Sequence, residues 1–275
     1  MIFVYKFWEI FCKKLHEMNI HSIRAEDVFG YKNRYLVLKH DVETDVPRAY
    51  KMAEIEAKYG HRGVYYVQAY LLSDPRNVQL LSLIQSMGHE VSYHYDVMDA
   101  SKGNIEEALV EFEKNRKRFV NNGFTIKTLC QHGNPIVERI GYTSNRDFFR
   151  NATVQEKYPE LSDIMVDFKQ KASTEYTYFS DAGRQFKLIY DPINNDVIKS
   201  DDKNIGFDSI DELIPYIEKD NCIVSTHPHR WTASAKSYLI KTWLFKIVKS
   251  IAKILVKIPF LKKIMSRYYY LAKKI

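Results

Sequence analysis

Between residues 35 and 235, short runs of β-branched and aromatic residues alternate with amphipathic stretches of helical period. That alternation commits the chain to a largely parallel α/β sheet or barrel. Residues 35–40 read as a buried strand and 47–59 as the helix after it, with Pro47 near the helix start, where a missing N–H is harmless. Residues 63–68, 89–94, 125–130, 176–180 and 222–226 read as further strands, and 77–87, 104–121 and 209–219 as helices, with Gly88 and Gly123 placed to close two of them. The stretch 145–175 is less regular and reads as a short helix with excursions.

Each expected strand ends in residues that carry chemistry: His40-Asp41, His94-Tyr95-Asp96, His132-Gly133-Asn134, Asp181 and His227-Pro228-His229. In parallel α/β architectures the carboxyl ends of the strands share one face, and active sites are built there. A single buried histidine is more often structural than functional, so the shared position carries the inference. His16, His21 and His61 fall away from that rim, and His89 begins a strand.

Composition narrows the class. The 41 Lys and Arg against 34 Asp and Glu give a net charge of +7, but residues 236–275 hold eleven of the basic residues and no acidic one. The remainder carries thirty basic against thirty-four acidic residues, and a mildly acidic body argues against a nucleic-acid-binding core. Cys12, Cys130 and Cys222 have no paired spacing and read as reduced, partly buried thiols, as expected of a cytoplasmic protein. Lys6 and Glu9 interrupt the first apolar run, whereas a secretory leader needs about 7–15 apolar residues, so residues 1–18 read as an amphipathic helix. No G-x-S-x-G elbow, G-x-G-x-x-G loop or Walker loop occurs.

Five segments, in order, resemble the motifs of the NodB-type polysaccharide deacetylases (carbohydrate esterase family four). Leu38-Lys-His-Asp-Val-Glu43 stands where the first motif belongs and Gly88-His-Glu-Val-Ser-Tyr-His94 where the second ends in a metal-binding histidine. Gln131-His-Gly-Asn-Pro135 and Tyr178-Phe-Ser-Asp-Ala-Gly-Arg184 match the third, groove-lining motif and the fourth, and Ile223-Val-Ser-Thr-His227 the last, whose histidine is the general acid. The pattern is similar to a divergent branch of surface-polysaccharide and O-antigen biosynthesis. The resemblance implies a distorted seven-stranded (β/α) barrel over residues 1–235 and a divalent metal, zinc first, with cobalt, nickel or manganese as alternatives. Two departures stand out: the usual Asp-Asp pair is reduced to Asp41-Val42, and Met98 replaces the second histidine.

Metal-assisted hydrolysis needs about three protein ligands and an open position. Asp41 and His94 are the leading ligands, with the third from Asp96, His132 or Glu43; His132 is favoured, because the adjacent Gly133 lets it turn inward. Asp41 serves as ligand or base and His227 as acid. His40, which alternation sends to the opposite side of the strand from Asp41, reads as catalytic support or as a buried structural histidine. Asp181 can orient His227. Arg184 can grip a sugar carboxylate or phosphate, or pair locally with Asp181. Asn134, His229, Arg230 and Trp231 are the expected substrate rim, Trp231 being equally suited to packing. The expected reaction is deacetylation of an N- or O-acetylated sugar, with a non-catalytic carbohydrate-binding protein or another sugar-modifying hydrolase as alternatives.

Residues 236–275 read as a basic amphipathic helical tail. Ile240, Leu244, Ile247, Val248, Ile251, Leu255 and Ile258 recur at helical spacing, opposite Lys246, Lys249, Lys253 and Lys257, and Pro259 breaks the run. The lysines argue against a span, which takes about 20 apolar residues. They favour a helix lying on a membrane surface, here the inner face, where a lipid-linked glycan would be met; docking on the barrel or on a partner protein is the alternative.

Overall fold

The computed structural model describes residues 2–134, 137–197 and 203–255, and its centre is one nine-stranded sheet. In chain order the strands are β1 Leu36–Val42, β2 Gly63–Val67, β3 Glu90–Tyr95, β4 Thr128–Gln131, β5 Ser162–Asp163, β6 Thr177–Ser180, β7 Phe186–Leu188, β8 Ile205–Phe207 and β9 Cys222–Thr226. Their spatial order is β5-β4-β3-β2-β1-β9-β6-β7-β8. The first seven in that row are mutually parallel; β7 and β8 form an antiparallel ribbon on the far edge.

The helices are α1 Tyr5–Glu17, α2 Val46–Lys58, α3 Pro75–Ser86, α4 Val97–Ala100, α5 Ile105–Asn121, α6 Asp147–Arg150, α7 Ala152–Lys157, α8 Phe168–Lys171, α9 Ile214–Lys219 and α10 Ala235–Leu255. Local chemistry sets their starts. Asp45, Asp74 and Asn104 each accept a backbone N–H of the first turn of α2, α3 and α5, and prolines occupy the opening turns of α2 and α3. Gly88 and Gly123, at φ +92° and +82°, take the left-handed conformation that ends α3 and α5.

Strand alternation divides the core. Leu36, Leu38 and Val42 of β1 face outward to the helices; Val37 faces the concave side with Val64, Tyr66, Cys130, Tyr178 and Ile223. Trp8, Phe11 and Leu15 place one stripe of α1 against the outer face, each fully buried and worth roughly 1.5–3 kcal/mol.

Of the expected distorted seven-stranded barrel, the described residues show the parallel strands and not the closure. Seven parallel strands are present, but the free edge of β6 is taken by β7, so it is not available to β5. The curl still brings the two ends near each other: Tyr176 Oη, just before β6, donates to the carbonyl of Ile164, just after β5, at 3.0 Å. The expected β1 ended at His40; the strand instead continues through Val42. The strands β5, β7 and β8 went unforeseen. Pro135, Pro259, Lys257, Ile258 and the second basic stretch of the tail lie outside the described residues.

Candidate metal and hydrolytic site

Along the concave face the strands change character toward their carboxyl ends. Val37 gives way to Lys39, Asp41 and Glu43; Ser92 to His94; Cys130 to His132; Ile223 to Ser225 and His227. These residues are buried or nearly so. Apolar packing beneath thus holds a polar mouth above.

Two groups of possible ligand atoms gather there among the described residues, each within 4.8 Å of one another: Glu43, His94 and His132, and Asp41, His94 and Cys130. His132 Nε2 lies 3.2 Å from Glu43 Oε1, and the His94 and His132 rings meet edge to face at 5.2 Å. The expected set of Asp41, His94 and His132 is therefore brought together only in part. Glu43, the alternative third ligand, is the carboxylate beside both histidines, in the bend directly after β1, whose Lys39 and Asp41 share one face.

Burial pushes the His94 imidazolium down to about 3, so the ring is neutral near pH 7. Its Nδ1 is 3.0 Å from the carbonyl oxygen of Cys130. A carbonyl only accepts, so Nδ1 carries the hydrogen and Nε2 presents its lone pair. His229 is likewise neutral, lowered to about 3 by burial. Its buried Nδ1 has no protein hydrogen-bond partner and faces Glu43 Oε2 at 3.9 Å.

Lys39 is the residue that sequence reasoning missed. Only 1% exposed, its Nζ lies 2.6 Å from each oxygen of Asp41 and 3.1 Å from Ser225 Oγ. Burial opposes both charges, but each outweighs that penalty for the other: Asp41 stays below the usual carboxylate range, helped by His94 and His227, and Lys39 is held well above the usual amine range. The signal was available, since a lysine within Leu36-Val-Leu-Lys-His40 interrupts an otherwise apolar run. In Cys130, burial raises the thiol well above its ordinary value.

His227 closes β9 and is fixed from behind. Its Nδ1 is 2.5 Å from Asp181 Oδ1, and its backbone N–H donates to Oδ2 at 3.0 Å. Burial would raise Asp181, but Arg230 and His227 overcome it and hold the group at about 2. With Nδ1 turned to that carboxylate, Nε2 points into the mouth, 3.9 Å from Asp41 Oδ2.

Other expected site residues stand elsewhere. His40 lies on the opposite face of β1, fully buried, stacked on Tyr65 at 4.3 Å, with Nδ1 2.7 Å from Thr226 Oγ1 and Nε2 3.0 Å from Glu56 Oε1. Its Nδ1 contact is with the residue that precedes His227. Trp231 is 1% exposed among Phe3, Trp8 and Phe186, a core residue and not a sugar platform. Arg230 donates to the Asp181 carbonyl and to Oδ1 at 2.7 and 2.8 Å, taking the ion-pair role expected of Arg184. Arg184, at φ +64°, instead reaches Thr242 on α10 at 3.3 Å, so this guanidinium meets the tail helix. Asn134 is half-buried on the loop after β4, where its carbonyl accepts from Arg139 at 3.0 Å. Met98 is buried with the apolar cluster outside the sheet, so it offers the mouth no donor. Asp96 follows β3 and stands at the N-cap position of α4 without a side-chain bond to that helix's N–H groups.

No protein-family model matches the chain, and no curated protein matches it. Among solved structures, it is similar to a family 4 carbohydrate esterase from Streptomyces lividans in complex with acetate, at 15% identity and a TM-score of 0.43, over 76% of this chain and 85% of that one. It is also similar to the catalytic domain of a peptidoglycan N-acetylglucosamine deacetylase from Eubacterium rectale, at 13% identity and a TM-score of 0.44, over 77% and 84%.

Proposed function

We propose that this chain is a metal-dependent hydrolase that deacetylates an N- or O-acetylated sugar during surface-polysaccharide assembly. One observation carries the reading: a two-histidine, one-carboxylate donor set lies at the same mouth as a histidine oriented by a buried carboxylate. The donor set suits a divalent cation of the zinc kind, since His94 is neutral with Nε2 free to ligate and Glu43 supplies an anionic oxygen. His229 Nδ1, buried without a protein partner beside Glu43, marks further coordinating capacity. Glu43, His94 and His132 would hold the ion.

A bound divalent cation supplies Lewis acidity toward an acyl oxygen and toward water, which a base as weak as Asp41 requires. Asp41, kept anionic by Lys39, is the proton acceptor of the pocket. His227, carrying a proton on each ring nitrogen, would deliver the one on Nε2 to the departing amine or alkoxide, while Asp181 holds the Nδ1–H and so aims Nε2 at the mouth. Arg230 holds Asp181 in place. Binding of a sugar without hydrolysis is the second reading, favoured by the apolar burial of Met98 where a second histidine was expected.

The membrane-surface role of the tail also belongs to this reading. The structure of α10 leaves Leu239, Ile240, Trp243, Leu244 and Ile247 exposed along one side, Trp243 at 64%. No helix among the described residues is long and apolar enough to cross a membrane. A surface helix of this kind would hold the mouth near a lipid-linked glycan at the inner face.

Acetate release from a panel of N- and O-acetylated oligosaccharides, with zinc present, tests the activity. The wild type should release acetate, and Asp181→Asn should lower kcat by about 10²–10⁴-fold, the range of a general acid's contribution. Unchanged kcat in Asp181→Asn would remove His227 from that role.

A further inference from the structure

The polar mouth contains two places for a positive charge, and the chain's own ammonium fills one of them. Lys39 Nζ sits between the two oxygens of Asp41, 2.6 Å from each, with Ser225 Oγ at 3.1 Å and the Tyr66 ring centroid at 5.7 Å. That is the Asp41–His94–Cys130 side of the mouth. The other side is formed by Glu43 and His132, whose Oε1 and Nε2 lie 3.2 Å apart, and His94 borders both sides.

We propose that Lys39 is a positioning residue that keeps Asp41 off the metal. By engaging both oxygens of that carboxylate, it directs a divalent cation to Glu43, His94 and His132 and leaves Asp41 facing His227. The inference rests on the hydrolase reading above and deepens it. Strand geometry makes the division possible. Lys39 and Asp41 project from the same face of β1, two residues apart, and Glu43 follows just past the strand end, with about 6.5–7 Å per two-residue step along the strand. A carboxylate at 43 can therefore serve the ion while one at 41 is held by the lysine below it. A buried pair of this kind is costly to break from one side, because the remaining charge is left uncompensated. Loss of the ammonium alone should thus drive Asp41 to the nearest other cation, the metal.

The experiment measures zinc affinity by competition with a chromogenic chelator, and the visible absorption of the cobalt-substituted protein, in full-length variants. Asp41→Asn should keep zinc affinity within about three-fold of the wild type, whereas Glu43→Gln should lower it by about 10²-fold, the size of effect seen when a site's coordinating network is damaged. Lys39→Met should raise zinc affinity by about ten-fold and change the cobalt spectrum as an added carboxylate enters. The double variant Lys39→Met/Asp41→Asn, which replaces the buried ion pair with neutral groups that a core tolerates, should restore the wild-type spectrum. If Lys39→Met does not fold, the comparison of Asp41→Asn with Glu43→Gln still decides. The proposal is overturned if Asp41→Asn weakens zinc as much as Glu43→Gln, or if folded Lys39→Met shows unchanged affinity and spectrum. A wild type that binds neither ion overturns the hydrolase reading itself, a different result from a metal held by Asp41.

Discussion

At the scale of single residues, the site was legible where chemistry coincided with strand ends. Asp41, His94, His132 and His227 were read from the sequence and line one mouth, Asp41 and His132 on either side of His94, with Asp181 behind His227. Lys39 and Trp231 were missed or misplaced for opposite reasons. A buried lysine is expensive unless it is paired, and its partner two residues away is visible only once both side chains share a face. Trp231 follows Pro228, His229 and Arg230, so its burial depends on Phe3, Trp8 and Phe186, far off in sequence. Glu90 gives a residue-scale prediction. Burial raises its carboxyl to about 7, with Thr128 and the Glu26 N–H accommodated around it. Its folded value exceeds its unfolded one, so the native state binds more protons between about pH 4.5 and 7. The stability tied to that protonated form is therefore full below this window and is lost as pH rises through it. Glu90→Gln, neutral throughout, should gain stability relative to the wild type from pH 5 to 8, read as the difference in urea midpoints. A difference that stays flat or falls across that range would show that Glu90 is ionised in the native state.

Elements were legible by period and less so by boundary. The capping residues Asp45, Asp74 and Asn104 start helices close to where the sequence places them, because caps are local. The end of β1 was misjudged by two residues, since Asp41 looks like a loop residue until Lys39 compensates it. Behind β1, Glu56 of α2 ties three elements together. It accepts from Trp8 Nε1 of α1 at 3.0 Å and from Tyr65 Oη of β2 at 2.8 Å, and lies 3.0 Å from His40 Nε2. Burial would raise Glu56, but His40 and His89 together with Tyr65 keep it below its ordinary value. Glu56→Ala should cost about 3–5 kcal/mol, the scale for stranding buried charged and polar partners, measured by urea unfolding; a loss under about 1 kcal/mol would mean that those partners find others. For α10, replacing Leu239 and Trp243 with serine should weaken sedimentation with phosphatidylserine-containing vesicles several-fold while leaving the melting temperature near that of the wild type. Sedimentation equal to the wild type would exclude this side of α10 from the membrane surface.

At the scale of the molecule, the alternation of strands and helices was enough to expect a parallel sheet with one functional edge. It was not enough to specify closure. The ribbon of β7 and β8 caps the edge that a closed barrel would have used, and its short strands carry little periodic signal. The central claim is that the mouth at the carboxyl ends of β1, β3 and β4 forms a metal centre, and the metal itself tests it most directly. Equilibrium dialysis of the full chain against zinc, followed by elemental analysis, should give one equivalent per chain in the wild type and none in His94→Ala. A wild type without zinc, or a folded His94→Ala that retains a full equivalent, would contradict it.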